Sequence, residues 1–204
     1  MIYEAAIGQD FPVAETSAAT DEAVRFRRRD PAALTAAVAR YQHRLYRYLL
    51  RLVHEPATAD DLFQQTWLHV ARQIHHYNPS RSFDAWLFAI AHNAAMDVLR
   101  RRPGESLDDP DPSAPWDAAG LATQPDALAL LITAERSAIV AAEVANLPAV
   151  YREALTLRFE DGMKLQEMAE VTRAPLSTVK SRVQRALECL RHNLTARWRK
   201  EDLL

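Results

Sequence analysis

The side chains best suited to binding chemistry lie near the carboxy terminus, on a segment that begins at Leu176. Apolar residues recur there every three or four positions, which predicts one helix with a single apolar stripe. Small hydroxyl residues near a helix N-terminus let its free backbone N–H groups approach phosphates, and arginine can bind a guanine edge with two hydrogen bonds. Hydroxyl and basic residues lie on the remaining surface of this helix: Ser177, Thr178, Lys180, Ser181, Arg182 and Arg185. These residue types at this spacing indicate a helix that binds in a groove of DNA.

Two further elements would have to position that helix. Leu165 to Val171 predicts a short helix, and the four-residue break TRAP separates it from Leu176. A longer helical pattern runs from Pro148 to Asp161 ahead of both, with proline at a favourable first position. A basic amphipathic helix on its own is usually an ordinary solvated surface helix. The short helix and tight turn before it instead favour a helix-turn-helix that docks into DNA.

The composition of the 204 residues predicts an all-α fold. Ala, Leu and Arg dominate, there are only four Gly, and β-branched residues are sparse. The one cysteine, Cys189, has no partner for a disulfide. Neither a secretory leader nor an apolar run of about 18 residues occurs, so we expect a cytoplasmic protein without direct membrane insertion.

Charge and proline content divide the chain into two small helical domains and a flexible acidic linker. Between Pro103 and Glu135 there are seven Asp or Glu and no Lys or Arg, whereas Pro175 to Lys200 holds seven Lys or Arg and one acid. The net charge of −2 therefore combines a basic module with an acidic connector. The expected units are a mobile N-terminal arm (1–24), a helical domain (25–102), the proline-rich linker (103–125) and a second helical domain (126–204).

Three helices are predicted in the first domain, and two of them carry distinctive surfaces. On the second, a core stripe of Leu62, Trp67, Val70 and Ile74 leaves an outer surface of Asp60, Asp61, Gln64, Gln65 and Leu68. On the third, from about Phe83 to Arg102, an inward stripe of Leu87, Ile90, Ala91, Ala94 and Val98 leaves an outer surface of Trp86, Asn93, Asp97, Arg100 and Arg101. An aromatic ring, an amide and a basic end could stack an extruded base, bind its edge and hold phosphates. A tryptophan beside a leucine is, however, more often a core residue, so Trp86 is the weaker candidate.

Both domains resemble parts of one protein family. A resemblance to region four of the extracytoplasmic-function sigma factors of bacterial RNA polymerase starts at Leu147: LPAVYREALTLRFEDGMKLQEMAEVTRAPLSTVKSRVQRALECLR, with TVKSR as its most telling part. A resemblance to region two of the same sigma-70 family is carried by ADDLFQQTWLHVARQI and FDAWLFAIAHNAAMDVLRRR. The two regions stand in the family's order and cover a little over half of the chain. They imply an alternative sigma factor that directs promoter-specific initiation.

The resemblance also implies partners and binding residues. Core RNA polymerase would be bound through its β′ clamp coiled coil and its β flap, with Asp60, Asp61, Gln64, Gln65 and Leu68 on the clamp. The −10 element of promoter DNA would be read by Asn78, Arg81, Phe83, Trp86, Asn93, Asp97, Arg100 and Arg101. The −35 element would be read by Arg173, Ser177, Thr178, Lys180, Ser181, Arg182 and Arg185. An anti-sigma factor is a further implied partner; no cofactor is implied, and the polymerase carries out the catalysis.

One position departs from the family pattern. Arg173 stands where the family often has glycine in the turn of the helix-turn-helix. It implies either a less tight turn or a contact between the guanidinium and a phosphate, and the sequence leaves both open.

Parts of the sequence would also fit two functions of other kinds. A stand-alone helix-turn-helix repressor would bind its operator unaided, usually as a dimer on two half-sites, but no segment reads as a dimerisation helix. A metal-dependent hydrolase would need a ligand set, and the nearest group is His69, His75, His76 and Asp84. Scattered surface histidines explain that group better, because no pair at i, i+4 has an evident third ligand.

Overall fold

A computed structural model describes residue 25 and residues 31–78, 81–102 and 134–201 of the chain. All regular elements in these ranges are helical, as the all-α prediction requires. They are α1 (Pro31–Val53), α2 (Pro56–Gln73), a 3-10 turn (Ile74–His76), α3 (Phe83–Leu99), α4 (Ala134–Ala145), α5 (Ala149–Leu155), a π-helical turn (Thr156–Glu160), α6 (Leu165–Thr172) and α7 (Leu176–Glu201). We call α1 to α3 the N-terminal module and α4 to α7 the C-terminal module. The expected arm and linker lie outside the described residues.

Local sequence signals account for the starts of α2 and α3. Pro56 occupies the first turn of α2, where its missing N–H costs nothing. The Ser82 side chain accepts a hydrogen bond from the Ala85 N–H (3.3 Å) and so caps α3. At its other end α3 stops at Leu99, three residues before the predicted end at Arg102. The helical pattern predicted over 148–161 is two elements, since α5 gives way at Thr156 to the π-helical turn.

The N-terminal module is built around side chains that are fully removed from solvent. Leu45 and Leu49 of α1 and Leu87 of α3 are 0% exposed, and they share one core with α2. The predicted core stripe of α2 is confirmed, because Leu62, Trp67, Val70 and Ile74 are all buried. On α3 the prediction holds in part: Leu87 and Ala91 are buried, whereas Ile90, Ala94 and Val98 are half-buried.

The C-terminal module does not stand apart from the N-terminal one. Its helix α6 packs against α3, and α5 and the π-helical turn pack against α1. One continuous cluster of buried side chains therefore joins both modules, with Leu157, Met168 and Val183 on the C-terminal side. A second cluster within the C-terminal module includes Tyr151 and Cys189. The sequence predicted two domains on a linker and gave no indication that the domains share a core.

Buried polar groups fix the register of the two modules. The Tyr48 hydroxyl donates to Oε1 of Glu153 (2.5 Å), and Nδ1 of His92 lies 2.6 Å from the same oxygen. Burial, and after it the Glu153 carboxylate, raises the pKa of Tyr48 well above its usual value, so the hydroxyl remains a donor. Nη2 of Arg152 donates to the Leu52 carbonyl (3.0 Å). All of these links run between α1 or α3 and α5.

None of the described helices combines the length and apolarity needed to span a membrane.

Candidate nucleic-acid and polymerase interfaces

The carboxy-terminal surface takes the form that the sequence predicts. Val179 and Val183 of α7 are buried against the rest of the C-terminal module, while Ser177 and Lys180 are exposed. Four further predicted contact residues are half-buried: Thr178, Ser181, Arg182 and Arg185. The Ser181 hydroxyl donates to the Thr178 carbonyl (2.9 Å), so its oxygen remains available as an acceptor. The structure thus places six of the seven predicted −35 residues in the N-terminal half of α7; the seventh, Arg173, lies in the turn before it.

The turn between α6 and α7 is tight although it lacks glycine. Arg173 adopts a left-handed backbone conformation with φ 53° and ψ 28°. This is the conformation that glycine would take without a steric penalty. The alternative of a less tight turn is therefore wrong for Arg173. Its side chain is exposed, and its contact with a phosphate stays a prediction.

A buried arginine that the sequence did not single out holds the segment that leads into the helix-turn-helix. Arg158 is 1% exposed, and its Nη1 donates to the Met163 carbonyl in the segment leading to α6 (3.0 Å). The Glu167 carboxylate accepts from the Lys164 N–H (2.9 Å) and satisfies a donor just ahead of the first turn of α6. In the sequence, RFEDGMK looked like a helix end, and a basic residue there gave no sign that its guanidinium is buried.

The predicted −10 surface is only partly open to solvent. Asn78 and Arg81 of the loop before α3 are exposed, but Phe83 is 3% exposed. Phe83 packs with its ring centroid 5.4 Å from that of Tyr41 and 5.5 Å from that of Tyr77. The first residue of α3 thus turns into the core of the module in this arrangement, and its assignment as a DNA contact stays a prediction.

Trp86 has an intermediate position. It is half-buried, with its ring centroid 5.2 Å from that of Tyr77 and 5.7 Å from that of Phe83. Trp86 thus packs on the core and still has an accessible side, and its role as a stacking platform stays a prediction. Asn93 is half-buried on the same side of α3.

The C-terminal end of α3 carries an ion pair. Nη1 of Arg100 lies 2.7 Å from Oδ1 of Asp97, and both side chains are more than 60% exposed. Arg101 is exposed as well, whereas Arg102 donates to the Val53 carbonyl (2.6 Å) and pairs with Glu55. Of the predicted basic end, Arg101 is exposed and Arg100 would exchange a carboxylate for a phosphate on binding DNA.

The predicted polymerase-binding surface on α2 is intact. Its five residues are all exposed, and Leu68, at 57% exposed, is one of two large apolar side chains so exposed among the described residues: Asp60, Asp61, Gln64, Gln65 and Leu68. The other such side chain is Phe159. An exposed leucine beside acids and amides is the composition expected where an interface has an apolar centre and a polar rim.

The residues proposed as metal ligands are arranged for other purposes. Asp84 accepts from the Tyr41 hydroxyl (2.8 Å) and from Nη1 of Arg44 (2.7 Å). Burial, and after it Asp84, raises the pKa of Tyr41 far above its usual value. His75 and His76 lie against each other, with ring centroids 3.9 Å apart. Across the described part of the chain, no three His, Cys, Asp or Glu side chains come together as a metal site.

Family comparisons agree with the arrangement of these surfaces. Residues 37–103 match the model described as Sigma-70 region 2, and residues 137–190 match that described as Sigma-70, region 4. The chain is 31% identical over 176 residues to the RNA polymerase sigma-H factor of Pseudomonas aeruginosa, which covers 81% of this chain and 88% of that protein. It is 26% identical over 161 residues to the ECF RNA polymerase sigma factor SigW of Bacillus subtilis, which covers 76% of this chain and 84% of that protein.

Solved structures share the fold at lower identity. CnrH in complex with the cytosolic domain of CnrY superposes with a TM-score of 0.65 at 24% identity and covers 88% of this chain and 99% of that one. The sigma factor RpoE in complex with the anti-sigma factor NepR from Bartonella quintana superposes with a TM-score of 0.58 at 21% identity and covers 79% of this chain and 96% of that one. The region-two and region-four matches, in this order and on these two modules, place the chain in the extracytoplasmic-function group of the sigma-70 family, as an alternative sigma factor.

Proposed function

We propose that this protein binds core RNA polymerase and reads a −35 element with α7 and a −10 element with α3 and the loop before it. The observation that carries the −35 assignment is the surface at the start of α7. Ser177, Lys180 and Arg185 stand on one side of a helix that follows a glycine-like turn, as in helix-turn-helix proteins whose second helix enters the major groove. Arg182 and Arg185 would read base edges, and Ser177, Thr178, Lys180 and Ser181 would hold phosphates and helix register.

The −10 element would be opened at the N-terminal module. Extruding a base costs a few kcal/mol, and an aromatic platform returns roughly 1–3 kcal/mol. Trp86 offers such a platform through its accessible side, with Asn93 beside it to bind a base edge. Asn78 and Arg81 of the loop, and Asp97, Arg100 and Arg101 at the far end of α3, would contact the strand around it.

Polymerase would be bound mainly through α2. The exposed Asp60, Asp61 and Gln64 would face the basic β′ clamp coiled coil, with Leu68 as the apolar centre of the contact. The C-terminal module would bind the β flap. The chain offers no catalytic role in this scheme, because nucleotide addition belongs to the polymerase. The protein would act in the bacterial cytoplasm, where its template lies.

The distance between promoter elements requires the modules to separate. Elements centred near −35 and −10 lie about 25 base pairs apart, or about 85 Å at 3.4 Å per base pair. A compact chain of this length has a radius of gyration of about 17 Å, hence a diameter near half that distance. The packed arrangement is therefore too short to reach both elements at once. We propose that it is the form of the free protein, and that an anti-sigma factor also holds this chain off polymerase, as NepR is bound to RpoE.

Run-off transcription with purified core polymerase tests this function. On a pool of genomic fragments, the protein is expected to produce discrete transcripts that core polymerase alone does not make. Asp61→Arg reverses one charge on the docking surface and should reduce core binding; Glu170→Arg, at an exposed acid on α6, should not. Normal core affinity of the Asp61 variant would remove the docking assignment. Tight sequence-specific binding of duplex DNA by the free protein would instead support a stand-alone repressor.

A further inference from the structure

Four arginines form a straight row along α1. Arg40, Arg44, Arg47 and Arg51 are spaced by four, three and four residues, so they lie within one narrow stripe of the helix. At 1.5 Å per residue the row is about 16 Å long. A row of this length and spacing matches the phosphates of about five consecutive nucleotides in duplex geometry, and fewer in an extended strand.

Acidic groups of the C-terminal module lie against this row. Nε of Arg44 is 3.4 Å from Oδ1 of Asp161, and its Nη2 donates to the Asp161 carbonyl (3.2 Å). Nε of Arg51 is 3.3 Å from Oε1 of Glu160. Arg47 is exposed and close enough to Asp161 to lower its pKa, against the larger effect of burial. Two adjacent carboxylates at the end of the π-helical turn thus occupy the row.

These carboxylates are an imperfect occupant. Oδ2 of Asp161 is buried and has no hydrogen-bond partner among the described residues. Its burial raises the pKa of Asp161 to about 7. The side chains of Arg51 and Glu160 are each about one-third exposed, and exposed ion pairs of this kind contribute little. The contacts can therefore be exchanged for those of a better anion.

The row leads directly to the proposed −10 surface. The guanidinium carbons of Arg40 and Arg44 lie 5.7 Å and 5.8 Å from the centroid of the Tyr41 ring. Tyr41 packs on Phe83, which in turn packs on Trp86. A strand with a base at Trp86 could continue along α1 with its phosphates on the arginines.

We propose that the arginine row of α1 binds the sugar-phosphate backbone of a promoter strand, and that Glu160 and Asp161 occupy this surface in the packed protein. Binding of DNA to the row and packing of the C-terminal module are then mutually exclusive. The inference rests on the proposed function only in naming the anion as promoter DNA. Each arginine acts as a phosphate contact, so its effect depends on salt and not on base sequence.

The test is binding of a fluorescein-labelled 15-nucleotide oligo-dT to the full-length protein, followed by anisotropy between 50 and 200 mM salt. For single strands each phosphate contact contributes a salt slope of about 0.7, or about fivefold in affinity near 100 mM salt. Arg47→Ala should weaken binding about fivefold, and Arg47→Ala with Arg51→Ala about 25-fold. Arg47→Lys should keep the slope. Glu160→Gln, which removes a competing carboxylate, should strengthen binding by up to about fivefold.

Arg72→Ala is the matched control, because Arg72 is also exposed on a helix of the N-terminal module but lies outside the row. Oligonucleotide affinities and salt slopes of the row variants equal to those of Arg72→Ala would overturn the proposal. Loss of poly-L-glutamate binding in the double variant with unchanged oligonucleotide binding would overturn it in favour of an acidic polypeptide partner. Run-off transcription by the wild-type protein is a separate measurement, so either result leaves the proposed function standing or falling on its own test.

Discussion

The two helices proposed to read DNA differ in what surrounds them. Helix α7 is buried on one stripe, through Val179 and Val183, and turns its polar residues to solvent. Helix α3 is buried on two sides: Leu87 and Ala91 are buried on one side, and Ala85 and Met96 on the opposite side. A helix that is apolar nearly all round requires partners on both sides. In the packed protein α3 packs against α1, α2 and α6.

This difference separates two tasks in one chain. The residues proposed to read the −35 element lie at the start of α7, and those proposed to read the −10 element lie on α3, a helix that also packs against α6 of the other module. We expect the free protein to bind duplex DNA weakly, because its proposed contacts are divided between the two modules. The following experiments either change the packing of the two modules or test the surface of α7 alone.

The largest effect is expected from placing a positive charge at Glu153. This carboxylate is 1% exposed and receives contacts from Tyr48 and His92 of the other module. Glu153→Lys replaces the carboxylate that Tyr48 and His92 contact with an ammonium group that has no counterion there. A buried ion without compensation costs several kcal/mol. We expect the modules to separate, with a larger radius of gyration by small-angle X-ray scattering and unchanged helix content by circular dichroism.

The matched control is Glu170→Lys, at an exposed acid on α6. It should leave the radius of gyration at the wild-type value. If Glu153→Lys remained as compact as wild type, the polar contacts of α5 would not hold the modules together.

The next largest effect is a pH dependence carried by Asp161. Burial raises its pKa from 3.8 to about 7 in the packed form, so this form binds a proton more tightly than the separated chain does. Its stabilising contribution is fully present below pH 3.8 and is lost as pH rises through about 7. Wild type should lose about 2–3 kcal/mol relative to Asp161→Asn between pH 5 and pH 8 in urea unfolding.

Asp161→Asn is itself the control for other ionisable groups, because these groups are the same in both proteins and their contributions cancel in the difference. The Asn side chain can still accept a hydrogen bond from Nε of Arg44 through its oxygen. Parallel stability curves for the two proteins would contradict the raised pKa of Asp161.

The contrast between the helices also explains what the sequence could predict. The single stripe of α7 and that of α2 are visible as apolar residues at helical spacing. The structure confirms the stripe of α2; on α7, Val179 and Val183 are buried and the leucines of the stripe are half-buried. The second buried side of α3 was visible only as extra apolar residues, such as Ala85 and Met96, which no stripe accounted for. Periodicity identifies the buried side of a helix but not the neighbour that covers it.

Long-range polar contacts were beyond such patterns. Glu153 lies in YREAL, where an acid two residues after a tyrosine looks like an ordinary solvated position. Its partners Tyr48 and His92 are 105 and 61 residues away in the chain. The burial of Phe83 could not be predicted for a related reason: its position at the start of a helix allowed either direction, and packing against Tyr41 and Tyr77 turns it inward.

The proposed −35 surface of α7 can be tested by removing its arginines. Arg182→Ala and Arg185→Ala should each weaken use of the −35 element by about 1–3 kcal/mol if the side chain reads a base. The measurement is run-off transcription from paired templates with an intact or a scrambled −35 element, where only the intact template should be affected. Glu188→Ala, on the same helix and exposed, is the control. Unchanged transcription by both arginine variants would sink the assignment of base contacts to this surface.

The smallest effect concerns the turn that sets the angle of α7. Arg173 holds a left-handed conformation that glycine adopts freely, so Arg173→Gly should raise the free energy of unfolding by about 0.5–1 kcal/mol, the gain being reduced by the greater freedom of glycine in the unfolded chain. His54, at the end of α1, has φ 57° and supplies a matched control. His54→Gly should stabilise the fold by a similar amount and leave the binding of DNA unchanged. If the Arg173 guanidinium also binds a phosphate, only Arg173→Gly should lower the salt slope of −35 binding in the polymerase complex, by about 1. A more stable Arg173→Gly protein with an unchanged slope would leave the residue a purely conformational role, in which the family's glycine is replaced at a modest cost in stability.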